Sequence, residues 1–233
     1  MTSLKEFEKL EKNFKIKFKN KSLLEQAFVH RSYLNENPGC ELEQNERLEF
    51  LGDAVMELVV TNYLFKHYPK NPEGDLTTWR AALVNSKMLS EVANKLGFND
   101  YLMLSKGEGQ DIGRARQFIL ANTFEAVVGA IYLDGGFNKA EKFLCENLIC
   151  ELERVLSEKL YLDPKSHFQE EAQGKEGITP SYELIEQEGP DHAKKFVVGV
   201  YLNTDLIAKG EGPSKQAAQE DAARKALKEK GWE

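Results

Sequence analysis

Three acids, Glu46, Glu49 and Asp53, stand at positions i, i+3 and i+7 of the segment Asn45–Val55 (NERLEFLGDAV). On a helix, at about 100° per residue, such positions fall within about 60° of one another. Leu48, Phe50, Leu51 and Val55 flank the stripe, so the acids lie near apolar surface. A solvated acidic edge on an amphipathic helix is the plain alternative. Glu125 is more sharply defined. It lies inside Phe118–Leu133 (FILANTFEAVVGAIYL), where nearly every neighbour is apolar, and Asn122 precedes it by one turn on the same side. An unpaired carboxylate buried there would be costly or would take up a proton. Two arrangements would resolve it. Glu125 could pair with an arginine such as Arg47 or Arg80, or Glu49, Asp53, Asn122 and Glu125 could converge on a divalent cation. All-oxygen ligation favours Mg2+ or Mn2+ over zinc.

A cation held in this way suits phosphodiester hydrolysis. It lowers the pKa of an attacking water and neutralises charge building on the phosphorane-like transition state and the leaving oxygen. Carboxylates alone would repel a polyanionic substrate, so the ion also lets an acidic site receive one.

Helices must carry these groups. Glu43–His67 keeps helical periodicity through Leu48, Leu51, Val55, Leu58 and Val59, and Pro69 and Pro72 end the run. Asp75 is the expected N-cap of a helix reaching Leu96 and closed by Gly97; Arg114–Leu133 and Asn138–Leu156 follow. No segment of the first 160 residues alternates convincingly with period two. The character changes at Asp163-Pro164. A helix over Pro164–Gln173 is followed by three β-rich runs, Tyr182–Glu188, Phe196–Leu202 and Leu206–Glu211, bounded by Gly189-Pro190, Asn203-Thr204 and Gly212-Pro213. Ser214 then caps a last helix with an alanine-rich face, ending near Lys230. The expected organisation is a helical domain over 1–160, a linker over 161–164 and a small α-β-β-β-α domain over 165–233.

Composition narrows the classes. With 41% hydrophobic and 30% charged residues, the chain can bury a core and remain soluble. Asn122 and Glu125 argue against a membrane span in the most apolar segment, and MTSLKEFEKLEKNF has no signal-peptide core, so the cytoplasm is expected. Cys40, Cys145 and Cys150 form no CxxC pair and suit a reducing compartment. The net charge of −7 counts against nucleic acid as a partner, and residues 162–233 alone carry 10 basic against 14 acidic residues. Any RNA contact must therefore rest on local placement and on metal ions.

NERLEFLGDAV resembles the signature of the ribonuclease III family nearly letter for letter. Pro72-Glu73-Gly74-Asp75-Leu76, Arg80-Ala81-Ala82-Leu83-Val84-Asn85 and Phe124-Glu125-Ala126 follow in the family's order. The resemblance spans the chain, because the family ends in a double-stranded RNA-binding domain of α-β-β-β-α order. It implies an all-α endonuclease domain and an α+β RNA-binding domain. The implied enzyme is a homodimer that hydrolyses double-stranded RNA with Mg2+, Mn2+ serving as a substitute. The products would carry 5′-phosphate and 3′-hydroxyl ends with short 3′ overhangs, and the substrates would be rRNA precursors and other structured transcripts. No membrane and no small-molecule cofactor are implied. Asp53 and Glu125 take the catalytic places, Glu49, Asp53, Asn122 and Glu125 the metal-binding ones, and Glu46 and Glu73 those of supporting acids. Asn122 departs from the family's usual Asp and offers one negative charge fewer, which leaves a non-cleaving duplex-binding protein on the same fold as the alternative. A helical phosphohydrolase of small molecules would explain the carboxylates but not the C-terminal domain.

A duplex-RNA reader needs polar contacts spaced over about 16 base pairs. The resemblance places them at Gln169 and Glu170 on the first helix of the module. Others fall at His192 in the loop Gly189-Pro190-Asp191-His192, with Lys194 and Lys195 after it, and at Ser214-Lys215 opening the last helix. Gln216 and Gln219 stand where the family commonly offers lysine; glutamine releases no counterion, so weak affinity is expected of the isolated module. Taken singly, the three lysines are ordinary surface charge. In the helical domain, Phe50 and Leu51 occupy positions able to meet a partner subunit as well as the core.

Overall fold

The computed structural model describes residues 4–110, 113–190 and 194–232, and the chain divides into two units, Met1–Tyr161 and Leu162–Glu233. In the first, α1 (Leu4–Phe14), α2 (Lys21–Ala27) and α3 (Arg31–Glu36) precede the long α4 (Glu46–His67). Helices α5 (Glu73–Val84), α6 (Ser86–Lys95) and the short α7 (Lys106–Gln110) lead to α8 (Arg114–Gly135). Then α9 (Phe137–Asn147) and α10 (Leu152–Ser157) close the unit.

Helix α8 is its axis. It is apolar nearly all round because α2, α4, α6 and α9 pack against it. Phe124 stacks on Phe98 and packs against Phe143, all three fully buried. By length and composition alone α8 could cross a membrane; its most apolar stretch is 61% buried inside the protein, as a core helix is. The crossing of α4 and α8 is set by two glycines. A methyl group at Gly52 would collide with the Glu125 carbonyl, and one at Gly129 with the Leu48 carbonyl. Backbone therefore lies against backbone, and the two acidic segments are brought face to face.

Some expected boundaries differ. Helix α4 begins at Glu46, because Asn45 is fixed outside it: its amide donates to the Ala27 carbonyl (3.1 Å) and its N–H to the Val29 carbonyl (2.9 Å). The single helix expected up to Leu96 is two. Asn85 is extended (ψ 155°), and its side-chain oxygen accepts from the Met88 N–H (2.9 Å) and so caps α6. Pro72 precedes α5, and Asp75 lies within that helix's first turn. The helix expected over Asn138–Leu156 is broken by a 3-10 turn at Ile149–Glu151.

In the second unit, α11 (Pro164–Glu176) precedes β1 (Ser181–Glu188), β2 (Lys195–Leu202) and β3 (Asp205–Gly212), and α12 (Lys215–Lys230) ends it. The sheet is antiparallel in the order β1-β2-β3. Its core joins Phe168 and Ala172 of α11 to Val200 and Leu202 of β2 and to Ala222, Ala223, Ala226 and Leu227 of α12. The small alanine face lets α12 lie close against β3. Ser214 caps α12 by accepting from the Ala217 N–H (3.1 Å), as expected.

Candidate active site

The anchoring of Asn45 fixes the first turn of α4, and with it Glu46 and Glu49. Glu46 is exposed; it accepts from the Gln44 amide (3.1 Å) and lies 3.9 Å from Arg31 Nη1. Glu49 is half-buried. Burial raises its carboxyl above the ordinary range, the charges of Glu46 and Asp53 add to the rise, and a hydrogen bond with Asn122 opposes it. Across the helix crossing, Glu125 is perturbed most. Burial first, then the charges of Asp53 and Glu49, push its carboxyl up to about 8. Four of the expected residues, Glu49, Asp53, Asn122 and Glu125, are thus brought together, with Glu46 at their margin.

Arginine does not relieve the crowding. Arg80 pairs with Glu57 (3.0 Å) and donates to Thr61 (2.9 Å). Among the described residues no lysine or arginine forms an ion pair with Glu49, Asp53 or Glu125. The donors are all oxygen, mutually repelling and without an internal cation, which fits a hard divalent ion. Among the described residues no three His, Cys, Asp or Glu side chains are closed tightly enough to hold an ion by themselves. Glu73 stands elsewhere. It opens α5, accepts from Thr77 (2.7 Å) and lines a cavity of about 510 Å³ with Phe65, Tyr68 and Leu76. It is not among the charges that raise Glu49 or Glu125.

In the C-terminal unit Gln169 and Glu170 are exposed on α11, and Lys215 is exposed in the first turn of α12. Lys195 is exposed but pairs with Glu211 across β2 and β3 (2.6 Å). Lys194 is partly buried just before β2. His192 lies outside the described residues.

Sequence reasoning missed the positioning role of Asn45, Gly52 and Gly129. A glycine in the interior of each long helix, where it weakens the helix unless backbone must approach backbone, was the available signal. It also missed the extent of a second α4 face: Phe50 (82% exposed), Leu58 (57%) and Phe65 (73%) form an apolar stripe turned away from the core.

Residues 20–152 match a family described as ribonuclease-III-like, and residues 164–230 match the double-stranded RNA binding motif. The chain is 43% identical to Ribonuclease 3 of Enterococcus faecalis over 94% of its own length and 95% of that protein's. It is equally similar to Ribonuclease 3 of a Nitratiruptor species, with 97% of both chains covered. Among solved structures, the nuclease domain of ribonuclease III from Campylobacter jejuni, studied for structural flexibility in a region involved in dimer formation, is 42% identical. That match has a TM-score of 0.55 and covers 60% of this chain and 94% of that one.

Proposed function

From the premise that the chain belongs to the ribonuclease III family and is a double-strand-specific endoribonuclease, we propose that Glu49, Asp53, Asn122 and Glu125 are its catalytic centre. The observation that carries this is Glu125, a half-buried acid raised to about 8 by burial and by two neighbouring acids, with no basic partner among the described residues. These four residues would hold Mg2+, with Mn2+ as a substitute. When bound, the ion supplies an activated water and offsets charge on the phosphate. Asp53 and Glu125 carry the greatest weight, as the family resemblance implies, and Glu125 has first to release a proton. Asn122 contributes its amide oxygen, while its amide N–H is the group that donates to Glu49. Water adds to phosphorus and the bond to the 3′ oxygen breaks, so one end keeps a 5′-phosphate and the other takes up a proton as a 3′-hydroxyl.

Residues 1–160 serve as the nuclease domain and 165–233 as the duplex-binding module. Gln169, Glu170, His192, Lys194, Lys195 and Lys215 are its contacts, Lys195 only in exchange for its ion pair with Glu211. Cutting both strands, to leave short 3′ overhangs, calls for two centres, and a two-fold homodimer supplies them. The apolar stripe of α4 supports that assembly, as does the description of the Campylobacter jejuni domain. A cytoplasmic place and substrates among rRNA precursors and other structured transcripts complete the reading. The amide at 122 favours a second reading, a duplex-binding protein that does not cleave. Incubation with long duplex RNA in Mg2+ and in EDTA separates them: cleavage in Mg2+ alone is expected, and an intact duplex with bound protein in both would establish the second.

A further inference from the structure

The opening of α12 reads in sequence as poor in cations, with Gln216 and Gln219 beside Lys215. The fold changes that. Lys165, from the first turn of α11, reaches across to α12 and donates to Gln219 Oε1 at 2.7 Å. Its ammonium also lies 5.0 Å from the centre of the Tyr182 ring on β1. Among the described residues no carboxylate forms an ion pair with it. The two acids beside it are otherwise engaged: Asp163 accepts from the Ser166 N–H (2.8 Å), and Glu220 accepts from the Gln216 amide (2.9 Å). Asp163, Lys165, Ser166, Gln169, Tyr182, Gln216 and Glu220 line one polar cavity of about 360 Å³, so both acids belong to its wall, each already accepting from one of the chain's own donors. Inside it the Tyr182 hydroxyl is shielded from solvent and has no hydrogen-bond partner.

We propose that this cavity receives a phosphate of the RNA backbone and that Lys165, from α11, is the cation that grips it. The inference rests on the reading that the C-terminal unit binds duplex RNA. An ammonium has three donors. Gln219 takes one, the Tyr182 ring face takes another side of the ammonium, and a donor remains for a phosphate oxygen. The Tyr182 hydroxyl and the Gln216 amide are further donors to the same anion. Lys165 is borne by the same helix as Gln169 and Glu170, so one rigid element would place both a phosphate contact and the minor-groove contacts. The glutamine at 219 is then an orienting acceptor for a lysine supplied from another helix.

Each phosphate contact made by a lysine contributes about 0.9 to the slope of log affinity against log salt concentration. Binding of the full chain to duplex RNA, in Ca2+ to hold back cleavage, is measured between about 50 and 200 mM salt. Lys165→Gln is expected to lower that slope by about one per module and to weaken low-salt binding roughly tenfold. Cleavage in Mg2+ at saturating RNA is expected to stay unchanged while KM rises. Lys165→Arg, which keeps the charge, should bind as the original does, and adding Gln219→Lys to Lys165→Gln should restore the slope. A Lys165→Gln protein with a native melting curve and an unchanged slope overturns the proposal, as does failure of either charge-keeping variant to bind normally. If the unaltered chain binds duplex RNA with no salt dependence at all, the underlying reading of the module falls, and this inference with it.

Discussion

Burial first, and then the unbalanced charges of Asp53 and Glu49, hold Glu125 near 8. Its folded pKa exceeds the ordinary carboxyl value, so the folded protein without metal binds a proton that the unfolded chain has already lost. Stability therefore falls as pH rises from about 4.5 towards 8. In EDTA, the Tm of the unaltered protein is expected to drop across that window relative to Glu125→Gln, and Mg2+ should reverse the drop; parallel profiles would contradict the assignment. The same variant should lose Mg2+-dependent cleavage by roughly a thousandfold or more while binding duplex RNA in Ca2+ nearly as before. Near-normal cleavage would sink the site. Position 122 is tested in the opposite direction. Asn122 hydrogen-bonds Glu49, so Asn122→Asp exchanges that bond for a further negative charge. Without metal the variant should melt lower; with Mg2+ it should cut faster or need less of the ion. A loss of cleavage would mean the centre is tuned to the amide. At this scale the acids were legible, because a carboxylate inside an apolar run demands an explanation. The distance of Glu73 from them was not, since no spacing within one segment reports where a different helix ends up.

Helices α4 and α8 convert those spacings into a site, and the glycines at their crossing decide whether the acids meet. Gly52→Ala thrusts a methyl group against the Glu125 carbonyl. Overpacking of that kind costs about 1–3 kcal/mol, partly offset by alanine's better helix propensity. The expected fall in Tm is roughly 3–10 °C. Cleavage should fall further, roughly a hundredfold, since small misplacements of catalytic groups are costly. Gly39→Ala, where nothing stands within 4 Å, is the matched control and should change neither. Equal, slight effects from both would mean that the crossing does not position the acids. The sequence displayed the long helices and the α-β-β-β-α order plainly, through 3.6-residue periodicity and clustered turn residues. It hid the break at Asn85, because Val84-Asn85-Ser86 contains neither glycine nor proline and the stop is made by a side-chain cap. It also hid the interruption near Leu148, where the apolar pattern continues through the 3-10 turn.

For the whole chain, the net charge of −7 set the strongest objection to a polyanionic partner. The structure shows why a sum over residues was a poor guide. Much of the charge is internally paired, as in Lys195 with Glu211, Lys230 with Glu176, and Arg154 with Glu151 and Glu91. Pairing removes charges one for one and leaves the sum at −7, so what a partner meets depends on where the remaining charges stand, and that cannot be read without the fold. Assembly is the property most open to test. Phe50, Leu58 and Phe65 recur at i, i+8 and i+15, which puts them within about 80° of one another on the helix. All three are largely exposed, whereas Leu51 packs against the core. An apolar stripe of this extent is costly to leave in water and marks a contact surface. Across a two-fold contact each substitution acts twice, so removing one phenylalanine forfeits about 3–6 kcal/mol, or roughly two to four decades in Kd. Light scattering at micromolar concentration should give the unaltered chain a mass twice its 26.5 kDa. Phe50→Asp should shift it towards the single-chain mass while its circular dichroism stays helical, and the fragment 1–161 should remain dimeric because the stripe lies wholly within it. Paired cuts in duplex RNA should give way to single-strand nicks, or to no cutting, in the Phe50→Asp protein. A single-chain mass for the unaltered protein would reject the dimer, and with it the paired cut.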